Sequence, residues 1–288
     1  MSKGKIGVQM MMLKEKVEEI GIYKTMQKIA ELGYSCVEVS QIPMTEENVA
    51  ELKRSLADFD LEVAALSANL EPMMPGMEGE TLKDDFDKIV ADCKKLNCNF
   101  LRMGMLPLSL MGSKEKALEF VEKADAVAEK LAEHDIKLYY HNHHVEFQKF
   151  EGEYLLDIIK DNTSHIGFEL DVHWIQRGGE DPVDFIKKYD GRVTLLHLKD
   201  YRIGELDKSS LETGDMEQFM QDFKAVVQFA EVGEGNLDMK AIIEAGLESG
   251  SKYFLIEQDD QYGRDPFACL ETSRDNLKEL GYGGWFKN

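Results

Sequence analysis

With 288 residues, 43% of them apolar, the chain is long enough to bury a large core, and its size suits one α/β barrel better than two domains. A formal net charge of -21 sets nucleic acid and anionic membrane surfaces aside as partners, because like charges repel. The four cysteines, Cys36, Cys93, Cys98 and Cys269, have neither zinc-finger spacing nor the density of a disulfide scaffold. A reducing compartment is expected from that, and with no basic and apolar leader before Lys5 the expected location is cytoplasmic.

Short β-type runs alternate with longer helical patterns. Lys5 to Gln9 reads as the first strand, followed by a helix near Ile22 to Leu32 with Ile22, Met26, Ile29 and Ala30 on one face. Cys36 to Val39 is the second strand, and Thr45 then caps a helix that buries Val49, Leu52, Leu56 and Phe59. Leu61 to Ala68 is the third strand, with a helix through Ile89, Val90 and Cys93 behind it. Phe100 to Met103 is the fourth, and the next helix repeats apolar residues from Ala117 to Leu131 at i, i+3, i+4 and i+7. The fifth strand starts at Lys137 and runs into His141, His143 and His144, three of the chain's seven histidines. Ile166 to Asp171 is the sixth, Val193 to Leu198 the seventh and Tyr253 to Glu257 the eighth. Asp181 with Pro182 and Asp265 with Pro266 are N-cap and first-turn pairs of two later helices. Eight strand-then-helix units predict a single-domain (β/α)8 TIM barrel over residues 1–288, with an open doubly wound sheet as the alternative. Residues 199–236 break the rhythm. That interval is too long for a structureless loop, and Phe219, Phe223 and Val227 predict a helix inside it, as a lid or as an oligomer contact.

Active sites of such barrels lie at the C-terminal strand ends, where side chains two apart point the same way. Applied to the last four strands, that parity groups Tyr139 and His141; Glu169, Asp171 and His173; Leu195, His197 and Lys199; and Leu255, Glu257 and Asp259. His141, Asp171, His197 and Glu257 then form a mixed nitrogen and oxygen set for one divalent ion, with Mn(II) ahead of Mg(II), Co(II), Zn(II) or Fe(II).

The strings Tyr-His-Asn-His at 140–143, Glu-Leu-Asp at 169–171, His-Leu-Lys-Asp at 197–200, Val-Gly-Glu-Gly at 232–235 and Ile-Glu at 256–257 together resemble the xylose isomerase-like barrel family of sugar isomerases and epimerases. The resemblance implies one divalent metal held at the ends of strands five to eight by His141, Asp171, His197 and Glu257. His141 stands where the epimerases usually carry a proton-moving Glu, a departure that gives weight to a lyase of the same fold, such as a keto-inositol dehydratase or the barrel subunit of a C-glycoside-cleaving enzyme. The expected activity is metal-dependent isomerisation or epimerisation of a keto or aldo sugar, with the lyase as the alternative. His143, Glu146 and Glu257 are the candidate proton carriers. Lys199, Trp174 and His173 are the candidate substrate contacts, and Trp285 is a further ring able to stack on a sugar. Gly233 and Gly235 read as a turn rather than a phosphate loop, because Glu231 and Glu234 flank them. Few arginines sit near the rim, which favours an unphosphorylated sugar. A homo-oligomer or a second subunit is compatible with all of this. A DNA-repair endonuclease is disfavoured by charge and by the lack of ligands for a trinuclear zinc site.

Overall fold

The computed structural model describes residues 3–74, 76 and 79–287. Its centre is a closed barrel of eight parallel strands: β1 (Lys5–Gln9), β2 (Cys36–Val39), β3 (Glu62–Ser67), β4 (Phe100–Met103), β5 (Lys137–His141), β6 (Gly167–Asp171), β7 (Val193–Leu198) and β8 (Tyr253–Ile256). Neighbours in sequence pair with one another, and β8 returns to β1 through Ile256 and Val8. The (β/α)8 class expected from the alternating pattern is the observed one, with strand limits within about a residue of those read from the sequence.

Period-two alternation builds the two sides of the barrel wall. Val8, Val37, Phe168, Leu170, Leu196, Leu198, Phe254 and Ile256 belong to the main core, where the sheet meets the helices. Each such side chain, fully withdrawn from water, contributes roughly 1.5–3 kcal/mol. A smaller cluster of Cys36, Ala64, Ala65, Tyr139, Leu195 and Leu255 fills the barrel interior near the N-terminal strand ends. Gly167 opens β6 because a Cβ at that position would overlap the Tyr139 ring.

The helices start where the capping signals place them. Thr45 Oγ1 accepts from Asn48 N at 3.2 Å to begin Glu46–Phe59. Asp181 Oδ1 accepts from Val183 N and Asp184 N ahead of Pro182–Lys188, and Asp265 does the same ahead of Pro266–Leu277. Each cap satisfies amides that have no partner within the helix, worth about 1 kcal/mol. No helix among the described residues is long and apolar enough to cross a membrane.

The long interval after β7 is an antiparallel ribbon, Asp200–Ile203 paired with Val227–Ala230, enclosing helices Ser209–Thr213 and Met216–Ala225. Phe219 and Phe223 lie on the second helix as the spacing predicted, but Val227 begins the returning strand. The Val-Gly-Glu-Gly stretch forms a turn whose amides bind an anion of the chain itself. Gly233 N and Gly235 N donate to Asp200 Oδ2, each at 3.1 Å, and Leu237 N donates to Asp200 Oδ1 at 3.2 Å.

Candidate metal centre

The four rim residues picked by parity converge. His141, Asp171, His197 and Glu257 are all buried, and one donor atom from each lies within 4.8 Å of the others. His197 Nδ1 is 2.8 Å from Glu257 Oε2, 2.9 Å from His141 Nε2 and 3.8 Å from Asp171 Oδ2. His141 Nε2 is 3.7 Å from Asp171 Oδ2. Donors bonded to one ion at about 2.0–2.2 Å sit roughly 3–4.4 Å apart, so small shifts fit the set to a single divalent cation.

The chain commits the second carboxylate oxygens of Asp171 and Glu257 elsewhere. Asp171 closes β6 and caps helix Val172–Arg177: its Oδ1 accepts from His173 N at 2.9 Å and from Trp174 N at 3.1 Å, which leaves Oδ2 buried without a hydrogen-bond partner. Asn142 Oδ1 accepts from Asp171 N at 3.0 Å and fixes the end of β5 against β6. Gln9 Nε2 donates to Glu257 Oε1 at 2.8 Å and leaves Oε2 for the shared centre. Asp171 Oδ2 accepts no hydrogen bond and meets the Lys199 ammonium only at 3.5 Å, so the donor set and this hydrogen-bond-free atom both fit a metal.

Lys199 reaches into the same centre, with Nζ 2.6 Å from Asp259, 3.1 Å from Glu257 and 3.5 Å from Asp171. Burial opposes the charge on Glu257, yet Lys199 and His197 hold its carboxyl well below the usual range. Burial, followed by Arg102 and His197, lowers His141 to about 4, the neutral form that binds metals. Burial also keeps His143 neutral, and its Nδ1 is unpartnered.

A cleft of about 640 Å³ opens over the centre, lined by Gln9, Lys14, Ser67, Asn69, Arg102, His141, His143, Lys199, Glu257 and Asp259 among others. The other sequence candidates lie elsewhere. Glu146 is fully buried outside the cleft wall; its Oε1 accepts from Tyr140 Oη at 2.7 Å and its Oε2 from His143 N at 2.8 Å. It therefore holds the turn that presents His143. His173 does not continue the β6 parity, because the chain turns helical at Val172; its ring packs against Trp174, Tyr201 and Phe229. Trp174 backs Lys199, whose Nζ sits 4.9 Å from the indole centroid. Trp285 is at the opposite end of the barrel, against Gly4 and Phe254.

The last four strands give Glu169 by parity but leave out Glu38 and Arg102, with which it forms a buried layer beneath the metal set. Glu38 on β2, Arg102 on β4 and Glu169 on β6 point inward below His197, and Glu38, Glu169 and His197 form a second group of potential metal donors. A lone charged residue at an inward position of an otherwise apolar strand is the sequence signal for both Glu38 and Arg102. Burial and the neighbouring Glu38 raise Glu169 to about 8.

Barrel and centre together define a (β/α)8 protein of the type that gathers one His, Asp, His and Glu set at its C-terminal rim. A model of the Xylose isomerase-like TIM barrel matches residues 26–283, and the chain belongs to that family. Among its relatives is an inosose dehydratase of Clostridium perfringens, 28% identical over 165 residues that make up 56% of this chain and 52% of the relative. An inosose dehydratase of Geobacillus thermodenitrificans is 28% identical over 152 residues, 51% of this chain and 49% of the relative. The chain thus matches about half the length of these relatives. In fold it is similar to a sugar phosphate isomerase/epimerase from Parabacteroides distasonis, with a TM-score of 0.73 at 21% identity over 97% of this chain and 99% of that one. It is also similar to a probable 3-DHS dehydratase from Bacillus anthracis, with a TM-score of 0.68 at 15% identity over 95% and 98%.

Proposed function

We propose that the chain is a divalent-metal-dependent enzyme that removes a proton next to the carbonyl of a keto sugar or keto polyol and then expels a β-hydroxyl as water. The observation that carries this reading is the convergence of His141, Asp171, His197 and Glu257 under a polar cleft, with Asp171 Oδ2 left without a hydrogen bond. When bound, the ion, Mn(II) by preference, would act as a Lewis acid on the carbonyl and the neighbouring hydroxyl.

His143 lines the cleft as a neutral imidazole with a free Nδ1, positioned to accept the α-proton. Lys199, charged and held by Glu257 and Asp259, is the proton donor facing a departing hydroxyl. The buried cations of the cleft, Arg102 and Lys199, are already balanced by carboxylates, which favours an uncharged polyol over a phosphorylated sugar. The inosose dehydratases among the relatives agree with elimination as the outcome.

Isomerisation or epimerisation is the second reading. It shares the proton abstraction and needs a second proton carrier, for which Glu257 lies in the same cleft. Incubation of the Mn(II)-loaded protein with a keto-inositol, and with a panel of ketoses in heavy water, separates the two. Loss of one water from the keto-inositol supports dehydration, and deuterated stereoisomers or aldoses support the second reading. Neither product, across the whole panel, would end both.

A further inference from the structure

Two potential metal sets share one imidazole. His197 faces His141, Asp171 and Glu257 with Nδ1, and it faces Glu38 and Glu169 with Nε2 at 3.1 and 3.3 Å. The guanidinium of Arg102 already lies against the lower pair: its Nε is 2.6 Å from Glu38 Oε1 and 3.2 Å from Glu169 Oε2. Both carboxylates are fully buried and Arg102 is nearly so. Arg102 Nε donates to Glu38 Oε1 and His197 Nε2 faces Glu38 Oε2 at hydrogen-bond distance, while the oxygens of Glu169 lie at ion-pair distance from the same two nitrogens and accept no hydrogen bond.

Resting on the reading of the upper set as a metal site, we infer that Arg102 is a resident cation that occupies the lower set. It excludes a second metal ion and holds His197 with Nε2 as donor, so that Nδ1, once it gives up its proton, is the ligand. Two buried carboxylates beside an imidazole are a complete trap for a divalent ion when no fixed charge opposes it. With the guanidinium in place a second dication would meet a positive charge within bonding distance of both carboxyl groups. The Glu38 carboxylate on Nε2 also selects the tautomer, since the ring nitrogen that donates to a carboxylate is not the one that binds metal. Gly104 contributes space: a Cβ there would stand 3.3 Å from Arg102 Nη1 and crowd the guanidinium.

The test is calorimetric titration of the metal-free protein with Zn(II) and Co(II), together with the Co(II) absorption spectrum, for the wild type, Arg102→Met, Arg102→Lys and Glu38→Gln. One equivalent for the wild type is the baseline, and a wild type that takes up none refutes the metal site itself rather than the role of Arg102. Arg102→Met is expected to take up a second equivalent with a changed Co(II) spectrum, or to bind the first at least threefold more weakly. Arg102→Lys is expected to return to one equivalent. Glu38→Gln preserves shape and is the second variant should Arg102→Met not fold; it is expected to weaken the single site by at least tenfold, because Nε2 loses its anionic acceptor. A single equivalent within threefold of wild type in Arg102→Met, or in Glu38→Gln should the Met variant not fold, overturns the inference.

Discussion

His197 Nδ1 lies 2.8 Å from Glu257 Oε2, so the ends of β7 and β8 are linked by a side-chain hydrogen bond at the barrel mouth. In the metal-free chain that contact requires a proton on Nδ1, supported by Glu169, Glu257 and Glu38, which raise the imidazole well above its usual value against the opposing effect of burial. Metal uptake must displace it, and affinity should fall in acid. His197→Ala is expected to lose the metal altogether. Removing the ring also leaves Glu38 and Glu257 short of a donor, at a cost of about 1–3 kcal/mol. Elemental analysis after purification without added metal checks the first outcome and thermal unfolding the second. One retained equivalent in the variant would show that His197 is not a ligand.

Lys199 competes with the metal for the same oxygens, at 3.1 Å from Glu257 and 3.5 Å from Asp171. Lys199→Met should therefore bind the ion as tightly as the wild type or more so, while turnover falls roughly 10²- to 10⁴-fold through loss of the proton donor. The effect should appear in kcat with little change in KM. Tighter metal binding with undiminished turnover would leave Lys199 a structural cation only.

Much of this centre was legible from strand parity alone, because inward residues of a barrel strand must alternate and four successive strands each ended in a ligand-type residue. Parity failed one step further on. Asp171 uses one oxygen to start a helix, so His173 leaves the strand direction and joins an aromatic cluster with Phe229 of the ribbon. Glu38 and Arg102 carried the same alternating signal in β2 and β4, but they sit beneath the rim, where a reading restricted to strand ends does not look. Gln9 could not be assigned from spacing, since its role depends on β8 closing against β1. The antiparallel ribbon after β7 was likewise not foreseeable, because its pairing joins segments more than twenty residues apart.

Asp200 is the clasp of that ribbon, accepting from Gly233 N, Gly235 N, Leu237 N and Tyr201 N. A concave row of amides around a carboxylate is an anion site filled from within the chain. Asp200→Asn places an amide group against donors and should cost roughly 1.5–3 kcal/mol locally. Hydrogen exchange is the measurement: amides 233, 235 and 237 are expected to lose protection while those of β1 to β6 keep theirs. Unchanged protection at all three would show that the turn stands without its anion. Gly235→Ala should act in the same direction, since a Cβ there would overlap the Asp200 carboxylate.

Glu146 supplies a pH dependence opposite in sign to that of an ordinary paired carboxylate. Burial raises it from 4.5 to about 7 in the folded chain, against the hydrogen bonds from Tyr140 and His143 that favour its charged form. Between those values the folded state binds the proton more tightly than the unfolded state. Its contribution to stability is therefore fully present below about pH 4.5 and is lost as pH rises through about 7, a change of roughly 3 kcal/mol. Glu146→Gln has no proton to lose. Urea unfolding of both proteins at pH 5 and pH 8 is expected to show the wild type losing stability relative to the variant at the higher pH. Parallel behaviour at the two values would mean that Glu146 is not held above the ordinary carboxylate range. The turn carrying His143 would feel the same ionisation, so kcat of the wild type should change across this interval by more than that of the variant.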